Sequence, residues 1–349
     1  MALAYDYVQR NQRRSQVLII LFVLSFVIFT YLATWIFFLL KEALAYFRPT
    51  GFLTWGSSCA FALSQTLDVC KWLLPASFLI SLFWAYVALN EGEQFVLGRL
   101  RGVRLLAKYD EYGANTTLTN LCIRTGDIVP RVYMLRDKGL NAFSVGSRPD
   151  NAAIVLSEGL LKKLEFVQLE AVLAHELAHI RNGDTRLMMV FVMCLAFFTF
   201  MGEYLFYGTE KDDIYEENGL HVSHIARPMG RFAFIGLMLL VYGYVIAPIL
   251  RLGISRTRER LADAEAALIT RHPRALARAL WIISQNSRIS GLENSALLGA
   301  MCIEKPGENK DFFSRISGLY HSHPPVEERI FALNDMDGMF LHIPDRSVK

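Results

Sequence analysis

No CxxC pair occurs anywhere in this chain, which holds five cysteines in 349 residues. That absence removes zinc ribbons and thioredoxin-like redox pairs from consideration. No GxxxxGK[ST] run occurs, so nucleotide-driven unfolding is not built into the chain and no nucleotide partner is expected. An excess of positive charge is missing too: 36 Lys and Arg stand against 33 Asp and Glu, and the basic residues are spread out rather than gathered. Nucleic acid is therefore not an indicated partner. There is no internal repeat and no low-complexity tract.

What the chain has in quantity is apolar residues. Hydrophobic content is 53%, too high for an ordinary soluble enzyme, yet 20% of residues are charged. The combination indicates a membrane protein with a substantial polar part. A hydrocarbon core roughly 30 Å thick needs about 20 helical residues. Four segments meet that demand: Val17 to Leu40, Trp72 to Asn90, Leu187 to Phe206 and Phe232 to Leu250, the third weakened by Glu203 near its end. The first is too long for a cleavable signal and lacks a small-residue cleavage pattern before Trp35 and Phe37, so it is expected to remain as an anchor. Arg10, Arg13 and Arg14 precede it, whereas the loop between the third and fourth spans carries Glu210, Asp212, Asp213, Glu216 and Glu217 against Lys211, Arg227 and Arg231. The positive-inside rule then puts both termini and Glu91 to Arg186 in the cytoplasm. Cys59 and Cys70 fall in the external loop before the second span, where a disulfide between them is the expectation.

The expected organisation is thus a two-span membrane region (1–90), a first cytoplasmic part (91–186), a transmembrane hairpin (187–250) and a second cytoplasmic part (251–349). VPRVYML (Val129 to Leu135) and NAAIVLS (Asn151 to Ser157) read as strands. From Glu158 a helix is expected, with Phe166, Val167, Leu169, Val172, Leu173, Leu177 and Ile180 at helical spacing. Ser255 to Thr270 and Ala275 to Asn286 also read as helices, and a last one is expected from Pro324 or Pro325. The fold class is an α+β membrane protein, mainly helical, with a small mixed sheet in its cytoplasmic part.

On the first of these helices lies AVLAHELAHIRNGD, Ala171 to Asp184. His175 and His179 are four apart and share a helix face, with Glu176 beside them. This HExxH arrangement lets two neutral imidazoles hold zinc while the carboxylate stays off the metal and serves as general base. Chance would produce it on the order of once in a hundred such sequences. Burying these groups with no partner would cost several kcal/mol, which a metal relieves. A catalytic zinc needs a third protein ligand. The metzincin extension would require Gly and His where this chain has Asn182 and Thr185, so that class is excluded. The candidates that remain are an acidic residue on another helix, or His321 and His323. In SRTRERLADAEAA, Ser255 to Ala267, Glu259 and Asp263 share a face: Glu259 would complete a His, His, Glu site and Asp263 would accept the N–H of a ligand histidine. A solvated helix with i, i+4 ion pairs is the competing reading of that segment.

Four stretches, NAFSVG (Asn141 to Gly146), HELAHIRNGD, SRTRERLAD and SHPPVEERI (Ser322 to Ile330), make the chain resemble membrane-integrated zinc metalloproteases of the HtpX type, related to the CaaX prenyl endopeptidases. The resemblance runs from about Asn120 to Leu333. It implies one Zn²⁺ per chain held by His175, His179 and Glu259, with Glu176 as base. It implies that Asn141, Ala142, Phe143 and Ser144 form the edge strand beside which a peptide lies, in keeping with β-augmentation. It also sets His323 and Arg329 near the metal, where a cation could stabilise an oxyanion. The activity implied is endopeptidase action on unfolded or membrane-associated polypeptides in the inner membrane, as quality control under stress. Arg260 stands where the family often has an aromatic residue, and NAFSVG replaces the commoner NAFATG. Rival readings are a metal-holding chaperone or scaffold without turnover and a CaaX-type prenyl-peptide endopeptidase. Association into a homo-oligomer is left open by the sequence.

Overall fold

The computed structural model of the chain describes residues 2–46, 55–100, 102–106, 112–207, 235–243, 257–289, 302–303 and 324–340. Its contacts divide the chain into two units, one from Met1–Gln16, Val87–Met193 and Leu250–Lys349, the other from Val17–Tyr86 and Cys194–Ile249.

The membrane unit is drawn from three long helices: α1 (Ala2–Tyr46), α2 (Trp55–Asn90) and α7 (Asp184–Tyr207). Three segments are long and apolar enough to cross a bilayer, Val8–Leu44, Ala60–Asn90 and Asp184–Phe206. They match the first three expected spans, whereas only 235–243 of the fourth lies among the described residues, and those are helical. Helix α1 runs past both ends of its apolar stretch because it contains neither glycine nor proline to stop it. Inside this unit Phe197 meets Phe22, Phe26 and Trp84 edge-on at centroid distances of 5.6, 4.8 and 5.3 Å. Ile20, Leu24, Ile28, Leu79 and Phe83 point outward, as side chains facing lipid should.

One expectation is overturned here. The stretch before the second span is not a loop from Trp55 onward but the beginning of α2, which carries both Cys59 and Cys70. Eleven residues at about 1.5 Å each separate two such positions by roughly 16 Å along the helix. A disulfide tolerates a Cα separation of only about 7 Å, and the Cys70 thiol is free.

The second unit includes α3 (Gly92–Arg99) and is built on a four-stranded sheet in the order β1 (Val103–Leu105), β2 (Arg131–Leu135), β4 (Ala153–Ser157), β3 (Ala142–Val145). Strands β2 and β4 are parallel, and the flanking pairs are antiparallel, with Phe143 and Tyr133 both opposite Val155. The sheet is small and mixed, as expected. AIVLS of β4 is buried throughout, which is the continuous apolar run demanded of an inner strand covered on both faces. Strand β3 is an edge of this sheet. Its start is pinned from outside: the Leu140 N–H donates to the Asn286 carbonyl at 2.7 Å and the Asn141 side-chain amide to that of Ser287 at 3.0 Å.

The helix expected from Glu158 is two. Ser157 caps α5 (Glu158–Lys163) by accepting from the Leu160 N–H, and a second start follows at Glu165, whose N–H donates to Gln168 Oε1 at 3.1 Å. Helix α6 (Phe166–Arg181) then carries the HExxH residues. Leu169, Val172, Leu173 and Leu177 of α6 join Leu118 and Leu121 of α4 (Ala114–Thr125), Ile154 and Leu156 of β4, and Leu276, Leu280 and Ile283 of the Pro273–Ser284 helix in one core. Helix α8 (Thr257–Thr270) packs along α6, with α9 (Pro273–Ser284) and α10 (Val326–Phe340) behind it. Burying α6 on one side against this core fixes where its polar side looks: toward α8 and β3.

Candidate metal centre

His175 and His179 sit one turn apart on α6, and the core contact of Leu173 and Leu177 leaves their rings on the α8 side. Their Nε2 atoms converge to 3.1 Å. Glu259, in the first turn of α8, brings Oε2 within 3.7 Å of His175 Nε2 and Oε1 within 3.7 Å of His179 Nε2. Among the described residues these three form a group able to share one ion. Two ligands each about 2.0–2.1 Å from zinc at a tetrahedral angle stand about 3.3 Å apart, so the observed separations fit a metal of that size. The sequence-predicted ligands are thus brought together, two from the motif and the third from a helix some eighty residues later.

Charge points the same way. Glu176, Asp184, Glu259 and Asp263 are all buried here, and the buried cations beside them are Arg258 and Arg329. Formally that leaves two negative charges uncompensated, the charge of one divalent cation. Without a metal, the deficit falls on a ligand imidazole. Burial alone would push His179 down, but the charge of Glu259 and the hydrogen bond that the ring donates to Asp184 outweigh it and raise the ring to about 10.

Each of these histidines also has a carboxylate near its far nitrogen, the arrangement that in metal sites fixes a tautomer and aims Nε2 at the ion. His175 Nδ1 lies 3.0 Å from Asp263 Oδ1, the partner expected from the sequence. His179 Nδ1 lies 3.1 Å from Asp184 Oδ2, a partner the sequence reading missed. The signal was present in the NGD that closes the motif: Gly183, at φ +71°, makes the turn that lets Asp184 start α7 while facing back toward α6. Asp263 is itself clamped by Arg329, whose Nε and Nη2 donate to its two oxygens at 2.8 and 2.7 Å. Burial would raise the Asp263 carboxyl, but the guanidinium outweighs it and holds the group at about 2. A third donor of Arg329 reaches the Ile303 carbonyl at 3.1 Å, and Nη2 stands 3.5 Å from His175 Nε2. His323 lies outside the described residues, as do His221, His224 and His321.

Glu176 is buried beside His175 and lines a cleft of about 30 Å³ with Ser144, His179, Asp184, Thr185, Arg258, Glu259, Cys302 and Ile303. That space holds an ion and about one or two waters. Strand β3 forms one wall, tied to the start of α7 by the Ser144 and Thr185 hydroxyls at 2.9 Å. Asn141, Ala142, Phe143 and Ser144 run along this sheet edge, with Ser144 lining the cleft, and part of the edge is occupied. Cys302 bridges Phe143 in antiparallel sense, and the Ile303 N–H donates to the Ala142 carbonyl at 2.8 Å. Nothing in the sequence around Cys302 signals this pairing. Burial and the charge of Glu176 push the Cys302 thiol up, so it stays protonated at neutral pH. Arg260 faces outward and pairs with Glu328 at 3.1 Å.

A family model described as Peptidase family M48 matches residues 123–337. Among curated proteins, the chain is 30% identical over 331 residues to a protease HtpX homolog of Bacteroides fragilis (strain YCH46), covering 93% of this chain and 96% of that one. It is 32% identical over 263 residues to a protease HtpX homolog of Dictyoglomus turgidum, covering 74% and 81%. Among solved structures, the crystal structure of S. mikatae Ste24p aligns with 85% of this chain and 81% of its own at 17% identity and a TM-score of 0.39.

Removing the Arg329 clamp tests the electrostatics described above. In Arg329→Met, Asp263 stays buried without its main partner, which should cost about 3–5 kcal/mol at neutral pH. Because the folded carboxyl titrates near 2 and an unfolded Asp near 3.9, the pair's contribution is present above about pH 4 and is lost as pH falls toward 2. Denaturation midpoints of chelator-treated wild type and variant should therefore differ at pH 7 and draw together near pH 2.5. A gap independent of pH would contradict the assignment.

Proposed function

The chain belongs to peptidase family M48 and is a membrane-bound metalloendopeptidase; from that premise we propose that its metal is a single Zn²⁺ held by His175, His179 and Glu259, with Glu176 as the catalytic base. The observation that carries this reading is the convergence of three ligand side chains from two helices next to a buried glutamate that lines the same cleft. Bound zinc supplies a Lewis acid that polarises the peptide carbonyl and acidifies water. Glu176 takes a proton from the attacking water and returns it to the leaving amine, so that one peptide bond and one water become a carboxyl and an amino group. Asp184, hydrogen-bonded to His179, holds that imidazole in one tautomer through both steps, and Asp263 faces His175 Nδ1 at 3.0 Å. Arg329 stands close enough to the ligand set for its charge to act on the developing oxyanion, and His323 is assigned to the same task by the SHPPVEERI resemblance alone.

The substrates in this reading are unfolded segments and exposed parts of membrane proteins, since backbone pairing on a strand edge makes little demand on sequence and no nucleotide motif is available for unfolding. The location is the cytoplasmic, inner membrane with the catalytic unit in the cytoplasm, as the arginines at 10, 13 and 14 favour. Peptide entry along β3 requires Cys302 and Ile303 to give up their pairing with Ala142 and Phe143, because they occupy the backbone groups a substrate would use.

Glu176→Gln should keep about one zinc per chain and lose proteolysis by several orders of magnitude; zinc retained with proteolysis unchanged would favour a scaffold instead. Locking the strand tests the entry route. Directly opposed residues of an antiparallel pair hold their Cβ atoms about 4.5–5.5 Å apart, so Phe143→Cys should cross-link to Cys302 on oxidation once the other four cysteines are replaced by serine. Cross-linked protein should be inactive and should return, on reduction, to the activity the same variant had before oxidation. Full activity in the cross-linked state would make residues 302–303 a permanent strand of the sheet.

A further inference from the structure

Asp184 uses its two oxygens differently. Oδ2 faces His179 Nδ1 at 3.1 Å, and Oδ1 accepts from the side-chain amide of Asn11 at 2.8 Å. The same Asn11 amide nitrogen donates to the carbonyl of Asn182, the residue that ends α6, at 2.9 Å. Asn11 is fully buried although it belongs to the N-terminal part of α1, more than 160 residues before the motif and outside the region that matches the family model. Arg258, the nearest cation, stands 4.0 Å from Asp184 Oδ1, beyond hydrogen-bond range.

A carboxylate that orients a metal-bound imidazole acts only if its own rotamer is fixed. Asp184 opens α7 just after a glycine in the left-handed region, a position with no neighbouring turn of helix on its N-terminal side to confine the side chain. Asn11 supplies the missing restraint. One of its N–H groups takes the end of the helix that carries the histidines and the other takes the carboxylate, so helix end and carboxylate are set against each other by a single amide. An amide suits the place better than Lys or Arg, because it donates twice without adding a charge that would compete with a metal for the surrounding carboxylates.

We propose that Asn11 is a positioning residue of the metal centre, holding Asp184 so that His179 presents Nε2 to the metal. The proposal rests on the zinc reading above and extends it to a segment outside the matched family region. It makes the N-terminal segment part of the metal site rather than only a lead-in to the first span.

The test uses the full-length, detergent-solubilised protein and two readouts that do not depend on turnover: the rate at which zinc is lost to an added chelator, and the visible spectrum of the Co²⁺-substituted form. Asn11→Ala should lose zinc about tenfold faster than wild type, within the 10–100-fold range typical of outer partners, and should shift the cobalt bands. Asn11→Leu has nearly the same shape and no charge or donor, and covers the case in which the truncation misfolds; it too should lose zinc faster. In an Asp184→Asn background, Asn11→Ala should add little, because both changes break one chain of contacts. Wild-type zinc loss and cobalt spectrum in Asn11→Ala, or an undiminished effect in the Asp184→Asn background, would overturn the proposal while leaving the zinc site intact. A wild-type chain that binds no zinc would instead overturn the reading on which it rests.

Discussion

Four carboxylates and two imidazoles buried in one small volume are tolerable only if opposite charge is brought to them, and the catalytic unit is organised around that requirement. Placing an isolated ionised group in a protein interior costs far more than any single packing contact returns. Arg329 answers part of the demand by clamping Asp263 from α10, and Arg258 lies beside Asp184. The balance, two uncompensated negative charges, is what a divalent cation would neutralise. From this follow the close approach of α6 and α8, the bidentate arginine and the carboxylate behind each histidine. A helix packed by Leu173 and Leu177 against a sheet-backed core gives the cluster a rigid base, so its polar groups cannot escape to water by a shift of the backbone.

Much of the metal centre could be read from spacing, because helical periodicity turns four residues of sequence into one face. That rule put His175 beside His179 and Glu259 beside Asp263, and the demand for a third ligand joined the two pairs. The rule fails where the chain turns. Asp184 is five residues from His179, yet its approach depends on the left-handed Gly183, which helical spacing does not reveal. Asn11 and the pair Cys302 and Ile303 reach the site from distant segments that carry no motif. The sheet shows the same division: strands β2 and β4 were visible as apolar runs, whereas the order that makes β3 an edge depends on tertiary pairing.

The membrane part was legible in composition and less so in its boundaries. Helix α1, which has neither glycine nor proline, runs beyond both ends of its apolar core, and α2 begins at Trp55, well before the apolar run from Trp72. That difference removed the loop on which the Cys59 to Cys70 disulfide depended. It also carries α1 back to Asn11, so one continuous helix contains a span-forming apolar stretch and a side chain hydrogen-bonded to Asp184.

The central claim, that two histidines of one helix and a glutamate of another hold one zinc, is tested most directly by counting metal. Elemental analysis of the purified full-length protein should give about one zinc per chain for wild type and almost none for Glu259→Ala at equal protein and with the helical content unchanged. Full zinc occupancy in Glu259→Ala would contradict the account.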